Sequence, residues 1–193
     1  MPNKLTLSRI ILSPIFIAFF LTENFYARVF GFVIFIIASL TDIADGHYAR
    51  KYNIVTGFGK FMDPLADKIL VTTALIALVW LHHARAWMVM LIVSREFFVT
   101  GLRMMAAYKG RVINPTFWAK VKTVVQMTTI SFILLMVTLD VIFARYPSPI
   151  AEMLIFDRQL VYDIMVGLTT FLTLYTGLDY TIKYYSMIRN TLR

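Results

Sequence analysis

The sequence predicts an all-α membrane protein with about six transmembrane helices and both termini in the cytoplasm. Two features of its composition carry the membrane prediction: 59% of the 193 residues are hydrophobic, and only 16% are charged. Soluble domains average about 45–50% apolar and about 25% charged residues. A soluble domain of this length cannot hide so much apolar surface from water, and this composition also excludes a disordered chain. Six helices of about 20 residues each would cross the bilayer and leave enough residues for connections.

Six apolar segments follow one another along the chain, separated by short polar stretches. The first begins at Ile10, is interrupted by Pro14, and uses the stretch from Leu5 to Arg9 as an interfacial lead-in. Because no internal repeat or linker divides the sequence, we predict a single domain over residues 1–193. The predicted helices cover residues 10–21, 29–48, 61–81, 87–108, 117–139 and 160–183.

Basic residues are distributed unequally between the two sides of the predicted membrane. Of the 19 Lys and Arg residues, all but Arg28, Arg85, Arg145 and Arg158 fall on the side that holds both termini. The positive-inside rule makes that side cytoplasmic. A basic surface also suggests nucleic acid, but these charges are dispersed over membrane loops without a nucleic-acid-binding module. The sequence therefore predicts a multi-pass membrane protein with no nucleic-acid partner.

Four of the 11 acidic residues lie close together where the second segment ends and the third begins. Asp42 and Asp45 are three apart and Asp63 and Asp67 are four apart, so each pair shares one helix face. A carboxylate at the bilayer centre costs about 2.5–3.5 kcal/mol, and clustered carboxylates repel one another. Divalent cations would offset both costs, and all-oxygen ligands favour Mg²⁺, Mn²⁺ or Ca²⁺. The spacing alone leaves three interpretations open: a metal site, solvated acids paired with nearby Lys and Arg, or a cation or proton pathway.

The segment between the two acidic pairs is predicted to be a loop that turns the chain back. Gly46, Ala49, Gly57 and Gly59 are small and would let a ligand approach the backbone closely. Arg50 and Thr56 can donate hydrogen bonds to phosphate oxygens. Beside four carboxylates, this combination indicates a metal–pyrophosphate site.

Residues Asp42 to Asp67 reproduce the pattern D-x2-D-G-x2-A-R-x8-G-x3-D-x3-D without a departure. This pattern resembles the signature of the CDP-alcohol phosphatidyltransferases, which are integral membrane enzymes of phospholipid synthesis. Further segments are similar to one branch of that family, the bacterial phosphatidylglycerophosphate synthases. The residues after Thr128 carry no part of the resemblance. The similar segments are residues 2–9, 62–68, 94–103 and 120–127.

The resemblance implies transfer of the phosphatidyl group of CDP-diacylglycerol to sn-glycerol 3-phosphate, which releases CMP and forms phosphatidylglycerol phosphate. It implies two divalent cations, Mg²⁺ or Mn²⁺, one held by Asp42, Asp45 and Asp63. The second would be held by Asp42, Asp63 and Asp67, and Asp67 is also the expected general base. The implied contacts to CDP-diacylglycerol are Asn3, Thr6, Gly46, Ala49, Arg50, Thr56 and Gly59.

The implied acceptor carries a phosphate, so its site needs further cations. The candidates lie at the cytoplasmic side of the fourth and fifth helices, and they are Arg95, Arg103, Lys120 and Lys122. Two alternative roles stay open: Arg95 and Glu96 as a structural pair, and Asn3 and Thr6 as interfacial caps.

Two alternative functions stay open as well. The same chemistry could use another acceptor, either inositol phosphate or, as in cardiolipin synthesis, phosphatidylglycerol. A carboxylate-based cation transporter would instead need acids near the bilayer centre and inverted repeats. The resemblance further implies a homodimer in the bacterial cytoplasmic membrane, with membrane lipids as partners and an active site facing the cytoplasm.

Overall fold

A computed structural model of the chain describes residues 2–52, 57–108, 115–147 and 157–184, with side chains described for residues 8–41 and from 68 onward. Over these ranges the regular structure is helical throughout, and six helices follow the order that the apolar segments predict. The all-α prediction is therefore confirmed. The helices are α1 (Pro2–Phe20), α2 (Phe25–Tyr52), α3 (Gly57–Trp80), α4 (Ala86–Tyr108), α5 (Phe117–Arg145) and α6 (Arg158–Lys183).

The connection between α2 and α3 is much shorter than the sequence predicts. Helix α2 continues to Tyr52 and α3 begins at Gly57, so most of the segment expected to be a loop is helical. The prediction gave too much weight to the glycines. Residues 47–52 contain no proline and include the good helix formers Ala49 and Arg50, so α2 continues to Tyr52.

Helix α1 continues through Pro14, where the sequence predicts an interruption. Proline removes one N–H from the helix, but transmembrane helices tolerate it because neighbouring groups satisfy the freed backbone atoms. Beside it, the buried Ser13 hydroxyl donates to the carbonyl oxygen of Arg9 at 2.8 Å. The lead-in and the apolar segment therefore form one helix.

Helices α1 and α2 pack in antiparallel orientation. Phe20 lies directly against Gly31, whose added Cβ would be 2.8 Å from the Phe20 nitrogen, and the rings of Phe16 and Phe35 are 5.5 Å apart. In the direction in which residue numbers increase along α2, they therefore decrease along α1. With both helices advancing about 1.5 Å per residue, Arg9 is expected at the level of Asp42. The start of α1 and the end of α2 consequently lie at the same end of the bundle.

The last three helices follow a similar arrangement. Arg85, just before α4, pairs with Asp163 near the start of α6 at 2.8 Å, while Arg103 near the end of α4 contacts Tyr180 near the end of α6. These two helices are therefore parallel.

Helix α5 runs the opposite way. The Thr129 and Thr169 hydroxyls are 3.2 Å apart, and Asp140 pairs with Arg158. Residue numbers therefore increase along α5 in the direction in which they decrease along α6, so the two helices are antiparallel. Together with the short connections, this brings the N-termini of α1, α3 and α5 and the C-termini of α2, α4 and α6 to one end, called the charged end below.

The surface of the bundle carries the apolar residues expected of a membrane protein. Helices α5 and α6 are each long and apolar enough to cross a bilayer, and shorter apolar stretches lie within α1, α2 and α3. Outward-facing apolar side chains include Phe30, Trp80, Met90, Phe171 and Ile182, each more than half exposed. Exposed apolar patches of this extent are typical of a surface that lipid covers. The protein is a polytopic membrane protein.

We expect Gly31→Ala to destabilise the protein. The new Cβ would meet the backbone of Phe20 at 2.8–3.0 Å, so α1 and α2 would have to separate. Overpacking of this kind costs about 1–3 kcal/mol. Gly167→Ala on α6 is the matched control, because nothing described lies within 4 Å of its added Cβ. Thermal unfolding in detergent measures both; equal midpoints for the two variants would contradict the close α1–α2 approach.

Candidate active site

A cavity of about 580 Å³ opens at the charged end, between α3, α4 and α5. Its apolar walls come from Val99, Met104 and Ala107 on α4 and from Ala119 and Val124 on α5. Its charged and polar lining residues are Lys68, Arg95, Glu96, Thr100, Arg103, Lys120 and Thr123.

The cavity carries a surplus of positive charge. Four of its lining residues are cationic, namely Lys68, Arg95, Arg103 and Lys120, and its one described carboxylate is Glu96. The Nε–H groups of both arginines are buried and have no acceptor among the described residues. Guanidinium groups bind phosphate and carboxylate oxygens with directional hydrogen bonds. The arrangement therefore suits a small anion.

Glu96 is the centre of a buried ion network beneath the cavity. Its side chain is almost fully buried; one carboxylate oxygen lies 2.6 Å from the Lys68 ammonium, and the other pairs with Lys122. Arg95 is at the outer limit of an ion pair with Glu96, at 4.0 Å. The predicted Arg95–Glu96 pair is thus weak, and the lysines on α3 and α5 are the principal partners of this carboxylate.

Three of the four cations predicted for an acceptor phosphate line this cavity, and the fourth does not. Arg95, Arg103 and Lys120 lie on its wall. Lys122 is 1% exposed and lies behind the wall, where it is ion-paired with Glu96. Its position on α5, two residues after Lys120, turns it toward the interior of the bundle.

Helix α6 contacts both cavity arginines from behind. Arg95 donates to the Thr176 hydroxyl at 2.9 Å, and Arg103 donates to the Tyr180 hydroxyl at 2.5 Å. Sequence analysis missed these α6 residues and also the place of Lys68 in the cavity. A usable indication existed for the first: Thr169, Thr173, Thr176 and Tyr180 are spaced to share one face of an otherwise apolar helix.

The four predicted metal-binding aspartates lie on backbone that belongs to the same end. Asp42 and Asp45 are in α2, and Asp63 and Asp67 are in α3. Asp42 is ten residues before the end of α2 and Asp67 is ten residues after the start of α3, about 15 Å along each helix. Helices joined by so short a connection are normally antiparallel neighbours. Equal distances from the connection therefore bring the two acidic pairs to similar levels.

The remaining predicted residues are distributed over the same helix ends. Asn3 and Thr6 lie in the first turns of α1, Gly46, Ala49 and Arg50 in α2, and Gly59 in α3. Thr56 lies outside the described residues, and for all the others in this group, as for the four aspartates, only the backbone is described. Where side chains are described, no group of three or more His, Asp or Glu residues could hold a metal.

The cavity and the acidic segment are connected through α3. Lys68, which lines the cavity and pairs with Glu96, directly follows Asp67 in the chain. The α3 backbone at the last acidic position therefore lies beside the cationic cavity. A reaction between a metal-bound diphosphate and a second, anionic substrate would need this juxtaposition.

Comparison with known proteins identifies the family. A family model described as CDP-alcohol phosphatidyltransferase matches residues 1–175. The Bacillus subtilis protein named CDP-diacylglycerol–glycerol-3-phosphate 3-phosphatidyltransferase is 40% identical, covering 99% of this chain and 98% of its own. A protein of the same name from Rickettsia felis is 37% identical, covering 93% of this chain and 92% of its own. A probable phosphatidylglycerophosphate synthase of Mycobacterium tuberculosis is 41% identical over 69% of this chain and 65% of its own. The chain belongs to the CDP-alcohol phosphatidyltransferase family and is a phosphatidyltransferase enzyme.

Proposed function

We propose that the enzyme transfers the phosphatidyl group of CDP-diacylglycerol to sn-glycerol 3-phosphate, forming phosphatidylglycerol phosphate and CMP. The names of the Bacillus and Rickettsia relatives support this reaction. The observation that carries it here is the cavity with three surplus positive charges beside the α3 position that follows Asp67. An alcohol that bears a phosphate monoester is small enough to enter this cavity and matches its charge.

The four aspartates fit two divalent cations, Mg²⁺ or Mn²⁺, because carboxylate oxygens are the donors that these hard ions prefer. Family members generally depend on divalent cations. Following the family pattern, Asp42, Asp45 and Asp63 would hold one ion and Asp42, Asp63 and Asp67 the other. When bound, the two cations would neutralise the charge of the diphosphate and polarise the attacked phosphorus.

The donor would bind where α1, α2 and α3 meet at the charged end. Its diphosphate lies among the signature residues while its acyl chains stay in the bilayer. The antiparallel α1–α2 packing supports a contribution from the N-terminal segment, since the start of α1 is level with the end of α2. The residues proposed to contact CDP-diacylglycerol are Asn3, Thr6, Gly46, Ala49, Arg50, Thr56 and Gly59.

The acceptor phosphate would lie in the cavity, bound by Arg95, Arg103 and Lys120. The attacking hydroxyl group of the acceptor alcohol then lies toward Asp67, whose carboxylate accepts the hydroxyl proton. As the proton leaves, the hydroxyl oxygen forms a bond to the phosphatidyl phosphorus, and the bond from that phosphorus to the CMP oxygen breaks. Lys122 remains among the residues proposed for the acceptor-phosphate site. It would act through its ion pair with Glu96 rather than by contact with the phosphate.

We further propose that the enzyme is a single domain over residues 1–193, a homodimer in the bacterial cytoplasmic membrane, with both termini and the active site facing the cytoplasm. The 15-to-four distribution of basic residues supports the orientation. The charged end supports it too, since the start of α1, the end of α6, the acidic segment and the cationic cavity belong to it. Surplus basic residues there would contact anionic headgroups of surrounding lipids.

The test uses purified protein, CDP-diacylglycerol and Mg²⁺ with a series of alcohols offered singly, and it measures CMP release. We expect release with sn-glycerol 3-phosphate and little release with glycerol, inositol phosphate or phosphatidylglycerol. Release with none of these alcohols would contradict the enzyme proposal. Release with inositol phosphate alone would contradict the proposed acceptor.

We expect Arg103→Ala to raise KM for glycerol 3-phosphate while leaving KM for CDP-diacylglycerol nearly unchanged. Loss of a hydrogen bond to a charged group corresponds to a rise of about 10–100-fold. Lys122→Ala should act in the same direction but less strongly, because its ammonium contacts Glu96. Arg85→Ala, which removes an exposed arginine at the opposite end, is the control and should change neither KM. Equal rises in both KM values for Arg103→Ala would argue against an acceptor-phosphate site.

A further inference from the structure

The C-terminal half of α6 forms a polar backing behind the cavity. Tyr180 is 1% exposed and packs with Val99 and Ala119, two residues of the cavity wall. Its hydroxyl accepts a hydrogen bond from the Arg103 guanidinium at 2.5 Å and another from the backbone N–H of Thr116 at 3.3 Å. One phenol thereby links the end of α4, the start of α5 and α6.

The ring of Tyr180 also lies near both cavity arginines. The guanidinium carbon of Arg103 is 5.1 Å from the ring centroid, and that of Arg95 is 6.0 Å from it. Cations within about 6 Å of an aromatic ring are attracted to it, and more strongly when water is excluded. Tyr180 thus holds two like-charged side chains near one another before any anion binds between them.

Arg95 has two further restraints from the same helix. The Thr176 hydroxyl accepts a hydrogen bond from Arg95 at 2.9 Å, and Gly177 lies against the arginine stem. A Cβ added at Gly177 would be 2.9 Å from the Arg95 Cγ, near the base of the side chain rather than its mobile tip. Position 177 therefore requires glycine for Arg95 to keep this orientation.

We propose that Tyr180 is a positioning residue of the acceptor site, and that with Thr176 and Gly177 it orients Arg95 and Arg103 toward the acceptor phosphate. This inference rests on the proposed function. Arginine side chains lose considerable conformational freedom when they bind an anion, and fixing them beforehand lowers that cost. Helix α6, which lies outside the signature segment, would in this way set the affinity for a phosphorylated alcohol.

The test compares Tyr180→Phe with Tyr162→Phe by steady-state kinetics with both substrates. Tyr180→Phe keeps the ring and removes the hydroxyl acceptor, so KM for glycerol 3-phosphate should rise about three- to tenfold. KM for CDP-diacylglycerol and the thermal midpoint should stay close to those of the unmodified protein. Tyr162→Phe is the matched control, because this buried tyrosine lies at the opposite end of α6 and its hydroxyl has no partner among the described residues.

Gly177→Ala provides a second, independent variant. Its Cβ should displace Arg95, so it too should raise KM for glycerol 3-phosphate selectively. An unmodified protein that releases no CMP with glycerol 3-phosphate would overturn the proposed function itself. With active unmodified protein, a Tyr180→Phe variant that matches Tyr162→Phe, or that raises both KM values equally, would overturn only the positioning role. If Tyr180→Phe fails to fold, an unchanged KM for glycerol 3-phosphate in Gly177→Ala overturns the positioning role.

Discussion

Replacing Asp67 by Asn is expected to remove nearly all turnover while leaving a folded membrane protein. The amide keeps the size of the side chain and one oxygen ligand, but it carries no charge and cannot accept the proton of the acceptor hydroxyl. Loss of a general base lowers kcat by about 10²–10⁴-fold. The loss should persist at saturating Mg²⁺, since additional metal cannot replace the proton acceptor. CMP release and the thermal midpoint in detergent are the two measurements.

Asp163→Asn is the control for this substitution, because it makes the same chemical change at a surface ion pair on α6. Its carboxylate accepts a hydrogen bond from Arg85, whose side chain is 59% exposed. Exposed pairs contribute about 0–1 kcal/mol, so activity and thermal midpoint should change little. Near-normal turnover of Asp67→Asn would refute its role as the base, and activity restored by Mg²⁺ would make it a metal ligand only.

Replacing Glu96 by Leu is expected to cause the largest loss of stability. This carboxylate is almost fully buried and pairs with Lys68 and with Lys122, whose side chain is 2% exposed. Removing one partner of a buried ion pair leaves an uncompensated charge and costs about 3–5 kcal/mol. The free energy of unfolding in detergent should fall by about that amount.

The double variant Glu96→Leu, Lys122→Met separates the ion pair from simple packing. It removes the buried positive charge together with its partner, and apolar replacement of a whole buried pair is often nearly neutral. Lys68 can turn toward water because 21% of its side chain is already exposed. We therefore expect the double variant to be more stable than Glu96→Leu alone. A Glu96→Leu variant as stable as the unmodified protein would contradict the network.

The architecture could be predicted from the sequence because its determinants are local. Each helix contains an apolar run that is visible in the sequence, although among the described residues only α5 and α6 are long and apolar enough to cross a bilayer. All six helices were therefore found in the correct order. The ends were less accurate, since polar residues extend helices beyond the apolar core. Helix α2, for example, continues through Arg50 and Lys51 to Tyr52, four residues past the predicted end. The predicted α2–α3 loop was wrong because its glycines were given more weight than the helix formers beside them. The predicted interruption at Pro14 was wrong because a transmembrane helix keeps its backbone groups satisfied around a proline.

The candidate site, like the fold, contains some residues that could be identified from the sequence and others that could not. The aspartates could be proposed from the sequence because their spacing is contained within 26 residues and every position matches one pattern, and their role stays a prediction. Arg95 and Arg103 were predicted from a shorter segment, and both line the cavity. The polar face of α6 marks Tyr180, but its partner could not be found in this way, because the contact with Arg103 joins residues 77 positions apart. Tertiary contacts of this kind leave no local pattern in one sequence.

The lysines of α5 illustrate a subtler limit. Lys120 and Lys122 are alike in charge and lie two residues apart, and the sequence does not show which of them faces the cavity. Helix geometry places residues two apart on different faces. Lys120 therefore reaches the cavity wall, and Lys122 is buried against Glu96. Which face turned inward depended on how α5 packs between its neighbours.

A competition experiment tests the central proposal most directly. The purified enzyme receives CDP-diacylglycerol and Mg²⁺ with equal concentrations of glycerol 3-phosphate, inositol phosphate and phosphatidylglycerol, and the lipid products are identified by mass spectrometry. We predict phosphatidylglycerol phosphate as the dominant product, formed in equal amount to the CMP released. A phosphatidylinositol phosphate or cardiolipin as the main product, or CMP released without any new lipid, would contradict the account.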